Sequence, residues 1–186
     1  MIQIRRRGPE SPGVTGASEP TDLLLACHER IRSYCVVACR LAEAGASPSG
    51  EIVEAAASLL RYFEVALPLH EADEEQSVAP RLLASVAAGD VTGALSQMAS
   101  QHLEIHGILA DLRPLWGRLA SEPAALSMFA EGLRDHAAAL RALFERHLLL
   151  EESVIFPAIQ RALSANVRSS ILCEFVERRS VPPSWA

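Results

Sequence analysis

The chain has 186 residues, with 17 Lys and Arg against 23 Asp and Glu and a formal charge of −6. That length suits one ordinary domain with a full core, and the acidic balance argues against nucleic acid as a partner. Hydrophobic residues make up 49% but aromatics only 5%, which favours packed helices over a β-sandwich. No apolar run approaches the roughly 18–20 residues of a membrane-spanning helix. The basic start lacks the apolar stretch of a secretory signal. The cysteines Cys27, Cys35, Cys39 and Cys173 are too few and too irregular for a disulfide scaffold. The expectation is a cytoplasmic protein with reduced thiols and no membrane to engage.

Residues 1–17 are rich in Gly, Pro and Ser and read as a loose arm, with Arg5-Arg6-Arg7 a solvated tail; residues 18–180 read as one helical domain. The first helix is expected from Thr21, as N-cap, to about Ala46, before Ser47-Pro48-Ser49-Gly50. A second runs from near Ser49 to about Ala88, with a bend or break at Pro68 and Pro80. Asp90 can cap a third, which reaches about Ala120 and should kink at Pro114. Ser121-Glu122-Pro123 starts a fourth, running to about Leu163, and a shorter fifth spans Ser164 to Arg179. Four long helices with short connections predict an all-α, up-down-up-down four-helix bundle with a short extra C-terminal helix.

The six histidines fall in repeated contexts. His70-x-x-x-Glu74-Glu75-x-x-x-x-Pro80 matches His147-x-x-x-Glu151-Glu152-x-x-x-x-Pro157 at a common offset of 77 residues. More weakly, His28-Glu29-Arg30-Ile31 resembles His102-Leu103-Glu104-Ile105. The chain reads as two copies of a helical hairpin, each supplying a His and then a His-x-x-x-Glu pair. Residues i and i+4 share a helix face one turn apart. Such a pair can present imidazole nitrogen and carboxylate oxygen to one ion, or a bridging carboxylate to two; His102 and His106 share the spacing. Imidazole and carboxylate without thiolate suit iron or manganese better than structural zinc. A single His-x-x-x-Glu is ordinarily a solvated pair, but two matched copies with histidines on the other two helices make a metal site the better reading. Counted along straight helices, His147 lies deeper from its turn than His102 or His106 by one to three turns, so a kinked third helix or an overhanging fourth is expected.

His28, His70-x-x-x-Glu74, His102-x-x-x-His106 and His147-x-x-x-Glu151 resemble the ligand set of the hemerythrin-like, HHE cation-binding family, over roughly residues 20–163. The resemblance implies a non-haem centre of two iron ions inside the bundle, with manganese or zinc as alternatives. Glu74 and Glu151 would bridge the ions, His28 and His70 would hold one, and His102, His147 and His106 the other. The oxygen carriers usually place an Asp five positions after the last histidine, whereas Glu151 stands four after His147. That spacing is closer to the broader HHE proteins, including the iron-centre repair group, although the short Cys-containing domain of that group is missing. A fifth histidine is a carrier-like feature. The implied ligands are oxygen, nitric oxide or a peroxide, with a redox enzyme or an iron storage or repair protein as alternatives; no protein partner is identified.

Other residues are given structural readings. His136 is about 16 Å from His147 along its helix and is read as a core or surface histidine. Glu75 and Glu152, about 100° round from their neighbours, are read as solvated, with orientation of ligands the lesser alternative. Cys35 and Cys39 are read as packing, as are Tyr62 and Trp116. Leu148, Leu149, Leu150 and Val154 are expected to form an apolar shell around the centre.

Overall fold

The computed structural model describes residues 17–45 and 47–180; most of the N-terminal arm, with Arg5-Arg6-Arg7, lies outside them. Among the described residues there are helices and turns and no strand. Four rods form the bundle. The first is α1 (Pro20–Ala42). The second is one continuous helical stretch: α2 (Ser49–Arg61), a π turn (Tyr62–Ala66), α3 (Leu67–Ala72), a second π turn (Asp73–Val78) and α4 (Ala79–Ser85). The third is α5 (Asp90–Ser121). The fourth comprises α6 (Leu126–Leu150), a π turn (Glu151–Ile155) and α7 (Phe156–Ala162). A last helix, α8 (Ala165–Ser180), packs on α1 and on the second π turn.

Each rod packs on the two next to it around the square, the first on the second and fourth, the third likewise. Cross-rod contacts run in opposite directions along the sequence. His28 meets Glu152 while Cys39 meets the Ala137 carbonyl, and Arg113 meets the Phe63 carbonyl while His102 meets Glu75. The order is therefore up-down-up-down, as the short connections require.

Pro68, Pro80 and Pro157 do not break their rods. Each stands two residues after a π turn, and the carbonyl four residues back, on Glu64, Gln76 or Ser153, falls inside that turn. The proline ring would collide with that carbonyl in a regular helix and removes its hydrogen-bond donor. Widening one turn relieves the clash without ending the helix. Pro114 lies within an uninterrupted α5.

Two helix starts differ from the sequence expectation. The first helix is capped by Glu19 rather than Thr21, with Pro20 in the first turn and Asp22 Oδ2 accepting from the Ser18 and Glu19 amides at 3.1 and 3.0 Å. The third is capped at Gly89, whose amide donates to Thr92 Oγ1 at 3.0 Å, and Asp90 is its first residue. The first helix also stops at Ala42.

The apolar core forms two clusters separated by a polar belt. One includes Ile31, Phe63, Leu67, Ile105, Trp116, Phe144 and Leu148; the other includes Leu24, Val78, Met98, Ile155, Ile159 and Phe175. Between them every rod turns buried polar residues inward: His28, then His70 and Glu74, then Gln101 and His102, then His147 and Glu151.

Candidate metal centre

His28 is the belt's contribution from α1, and His70 sits on α3 between the two π turns of its rod. Glu74 is the second residue of the π turn that precedes Pro80, and Glu151 the first residue of the one that precedes Pro157. The prolines in the sequence repeat thus have a local role: each places its carboxylate on a widened turn facing the bundle axis. His102 comes from α5 and His147 from the end of α6.

All six side chains are buried, and they meet. His28 Nε2 lies 3.0 Å from Glu151 Oε2, and His147 Nε2 lies 3.0 Å from Glu151 Oε1. His70 Nε2 lies 3.2 Å from Glu74 Oε1, and His102 Nε2 lies 3.4 Å from Glu74 Oε2. Each carboxylate therefore offers its two oxygens to imidazoles of different halves of the bundle. Atoms that could hold a metal ion fall into two groups, His28–His70–Glu74–Glu151 and Glu74–His102–His147–Glu151, with all atoms of a group within 4.8 Å of one another.

The bonding inventory of the belt favours cations. Both oxygens of Glu74, both of Glu151, and Nε2 of His28, His70 and His102 are buried without a hydrogen-bond partner. Buried polar atoms are normally paired, because leaving one unpaired costs about 1–3 kcal/mol, more when charged. Seven orphaned atoms converging on one spot fit a site that holds metal. Their protonation tells the same story. Burial, and then the charge of Glu151, push the Glu74 carboxyl well above its ordinary range. Burial acts to raise Glu151 too, but the close approach of His147 and His28 holds it below that range. Burial pushes His70 well below the ordinary imidazole range, against the pull of Glu151. Two carboxylates side by side cannot both be charged cheaply without cations between them.

Around this set, the outer ring nitrogens are tied in turn. His28 Nδ1 meets Glu152 Oε1 at 2.7 Å, and His102 Nδ1 meets Glu75 Oε1 at 2.7 Å. These two carboxylates face candidate ligands as well as solvent, so the lesser alternative of the sequence reading holds beside the solvated one. Glu152 is 27% exposed and Glu75 50%, so both stand at seams between rods, where about 100° from the inward direction leads. The clue was present in the sequence, since both are duplicated at the same offset of 77 as the ligands. His147 Nδ1 meets Gln101 Oε1 at 3.1 Å, a partner that sequence reading missed. Its signal is adjacency to His102.

His106 is not brought to the cluster. It is 43% exposed, and its Nε2 lies 2.9 Å from Glu71 Oε2. The register explains this. The fourth rod begins in earnest at Leu126, after a 3₁₀ turn at Pro123–Ala125. His102 is then about 28 Å from the end of its rod and His147 about 32 Å from the start of the next, so these two come level, and neither a kink nor an overhang is needed. His106 sits one turn nearer the connection. His136 lies at the surface, its Nδ1 on the Gly132 carbonyl. The apolar surroundings include Leu148, fully buried, and Phe156, whose ring centroid is 5.0 Å from that of His28, whereas Leu149 is exposed.

A helical bundle with paired His and Glu clusters on its axis accords with the family comparison. The hemerythrin HHE cation-binding domain model matches residues 19–159. The chain belongs to this family. The matched span contains all four rods except the last residues of α7, and every ligand candidate of both clusters. A Haemophilus influenzae protein, named only as uncharacterized, is 25% identical over 174 residues, covering 88% of this chain and 92% of that protein. Other features of this hemerythrin-family chain are structural. Burial pushes the Cys35 thiol up to about 12, and all four cysteines are free. No helix among the described residues is long and apolar enough to cross a membrane.

Proposed function

We propose that this chain is a non-haem di-iron protein whose centre takes a small ligand: oxygen, nitric oxide or a peroxide. The observation that carries the reading is that Glu74 and Glu151 belong to both four-residue groups, the arrangement required of carboxylates shared by two cations. His28 and His70 would complete one ion's set and His102 and His147 the other's. The donors are imidazole nitrogen and carboxylate oxygen only, which suits iron or manganese, with zinc less favoured. When bound, the ions would supply a Lewis-acidic, redox-active pair able to take an external ligand.

The chain's own residues set the conditions for that binding. Glu152, Glu75 and Gln101 fix the ring orientation and proton position of His28, His102 and His147, leaving Nε2 free for a metal. The apolar clusters above and below the belt limit solvent access. The test is iron content per chain after purification without a His-tag, together with visible spectra with and without oxygen or nitric oxide. A reversible spectral change without turnover supports a carrier or sensor. Repeated turnover of peroxide or ferrous iron, lost in Glu74→Ala and Glu151→Ala, points to an enzyme instead. A chain that binds no metal contradicts the reading.

A further inference from the structure

The two halves of the belt are related by the sequence repeat, but their outer contacts are not the same. In the second half both histidines are anchored. His102 Nδ1 faces Glu75, and among the described residues no Lys or Arg pairs with that carboxylate. His147 Nδ1 faces the Gln101 oxygen. In the first half, Glu152 faces His28 but is shared with Arg32, whose Nη2 lies 2.7 Å from the same oxygen. His70 Nδ1 is buried with no hydrogen-bond partner at all.

The repeat points to the position from which a partner would come. Gln101 immediately precedes His102, and the residue in the corresponding place before His28 is Cys27. Cys27 is buried, and its Sγ is engaged elsewhere: Arg30 Nη2 lies 3.1 Å from it and Arg179 Nη2, from α8, lies 3.9 Å away. A thiol is a short side chain and a weak acceptor, so it does not do for His70 what the Gln101 amide does for His147.

A metal held at Nε2 requires the proton on Nδ1, and a hydrogen-bond acceptor there fixes the ring and makes it a better donor. Removing such a partner typically weakens metal binding 10–100-fold. A carboxylate already neutralised by a guanidinium also raises an imidazole's basicity less than a free one. Both differences act in the same direction.

We propose that the two cation positions are inequivalent: the ion at His102 and His147 is held, and the ion at His28 and His70 is exchangeable, because Cys27 replaces the amide that would anchor His70. The inference rests on the two-cation reading above. An exchangeable ion beside a retained one would let the centre load and release metal one equivalent at a time.

The test is release of ferrous iron from the anaerobically loaded full-length chain into excess colorimetric chelator. The expected course is biphasic, one equivalent per phase, with rates at least tenfold apart. Cys27→Gln, which reproduces the Gln101 contact, should slow the fast phase about tenfold and leave the slow one unchanged. Gln101→Leu should speed the slow phase by a similar factor. The two substitutions are independent, so a failure of either to fold leaves the other as the test. Release of two equivalents in a single phase, or phases unmoved by the variants, overturns the inequivalence while leaving two cations in place. Loading that saturates below two equivalents overturns the two-cation reading itself, so the two failures are distinguishable.

Discussion

The first two rods and the last two carry the same His-x-x-x-Glu and proline pattern, yet they are surrounded differently. Around His102 and His147 the chain placed a carboxylate that no Arg or Lys among the described residues shares and an amide; around His28 it placed a carboxylate shared with Arg32, and His70 Nδ1 has no partner. The same divergence appears one residue before the bridging candidates. Asp73, fully buried, pairs with Arg178 and Arg179 of α8, whereas the matching position in the second half is Leu150, packed on apolar neighbours. The repeat therefore preserves the candidate ligands and the carboxylates Glu75 and Glu152 behind two of them, and lets the positions next to these diverge. The first half has used that freedom to dock a fifth helix, whose Ile171 and Phe175 fill the lower core.

The largest expected effect falls on what the halves share. Glu151→Ala removes a donor from both groups, and iron content should fall from two ions per chain to one or none by elemental analysis, with Glu74→Ala behaving alike. If either variant retains both ions, the equivalence of the two carboxylates as bridges is lost.

Next comes the contact the second half lacks. Asp73→Ala removes the shared carboxylate of Arg178 and Arg179, which are partly exposed, so the loss should stay below the roughly 3–5 kcal/mol of a fully buried pair. Urea unfolding should show that loss, and hydrogen exchange should show α8 losing protection first. Leu150→Ala cuts a half-buried apolar side chain and should cost less, at or below the low end of the roughly 2–5 kcal/mol for a fully buried leucine, with no special effect on α8.

The metal-free chain should depend on pH in two opposed ways. His70 has its folded value depressed below the unfolded 6.5, so the unfolded chain takes the proton first and stability falls as pH drops below that point. Glu74 is raised above 4.5, so the folded chain takes the proton first, and that contribution is lost as pH rises through its folded value. Bound cations would replace the Glu74 proton and need neutral imidazoles. Metal should therefore stabilise the fold most above pH 7, by about 2.7 kcal/mol per site at a hundredfold excess over Kd, with a matching rise in melting temperature, and should have little effect near pH 5. A gap between loaded and metal-free melting curves that does not change with pH would contradict the ligand set.

Much of this was readable before the structure, and the reason is period. Four rods, their turns and the two matched motifs follow from helical spacing and from Pro and Gly punctuation. The six inward-facing candidate ligands follow from a repeat that chance does not explain. What was not readable depended on neighbours. Whether Glu75 and Glu152 face water or a histidine is decided by which rod lies across the seam, and no periodicity within one helix contains that. The bend or break expected at Pro68 and Pro80 is a π turn before each, because proline's clash is a local fact while its relief by a widened turn depends on the core holding the rod together. His106 shares the His102 face, and the register set by the Glu122–Ala125 connection leaves it a turn too near that connection.

Smaller effects sharpen the comparison of the outer contacts. Glu75→Gln should weaken metal binding more than Glu152→Gln, each within the roughly 10–100-fold range for such partners, because Arg32 already offsets Glu152. Equal losses would remove that distinction. Smallest of all, His106→Ala should leave the iron content unchanged and, at a half-exposed site, move stability by no more than about 0.5–1 kcal/mol.

The most direct measurement is anomalous X-ray diffraction at the iron edge from crystals of the iron-loaded chain. Two peaks flanking the carboxylates of Glu74 and Glu151, one beside His28 and His70 and the other beside His102 and His147, are what the account predicts. A single peak, or peaks that neither carboxylate touches, would contradict it.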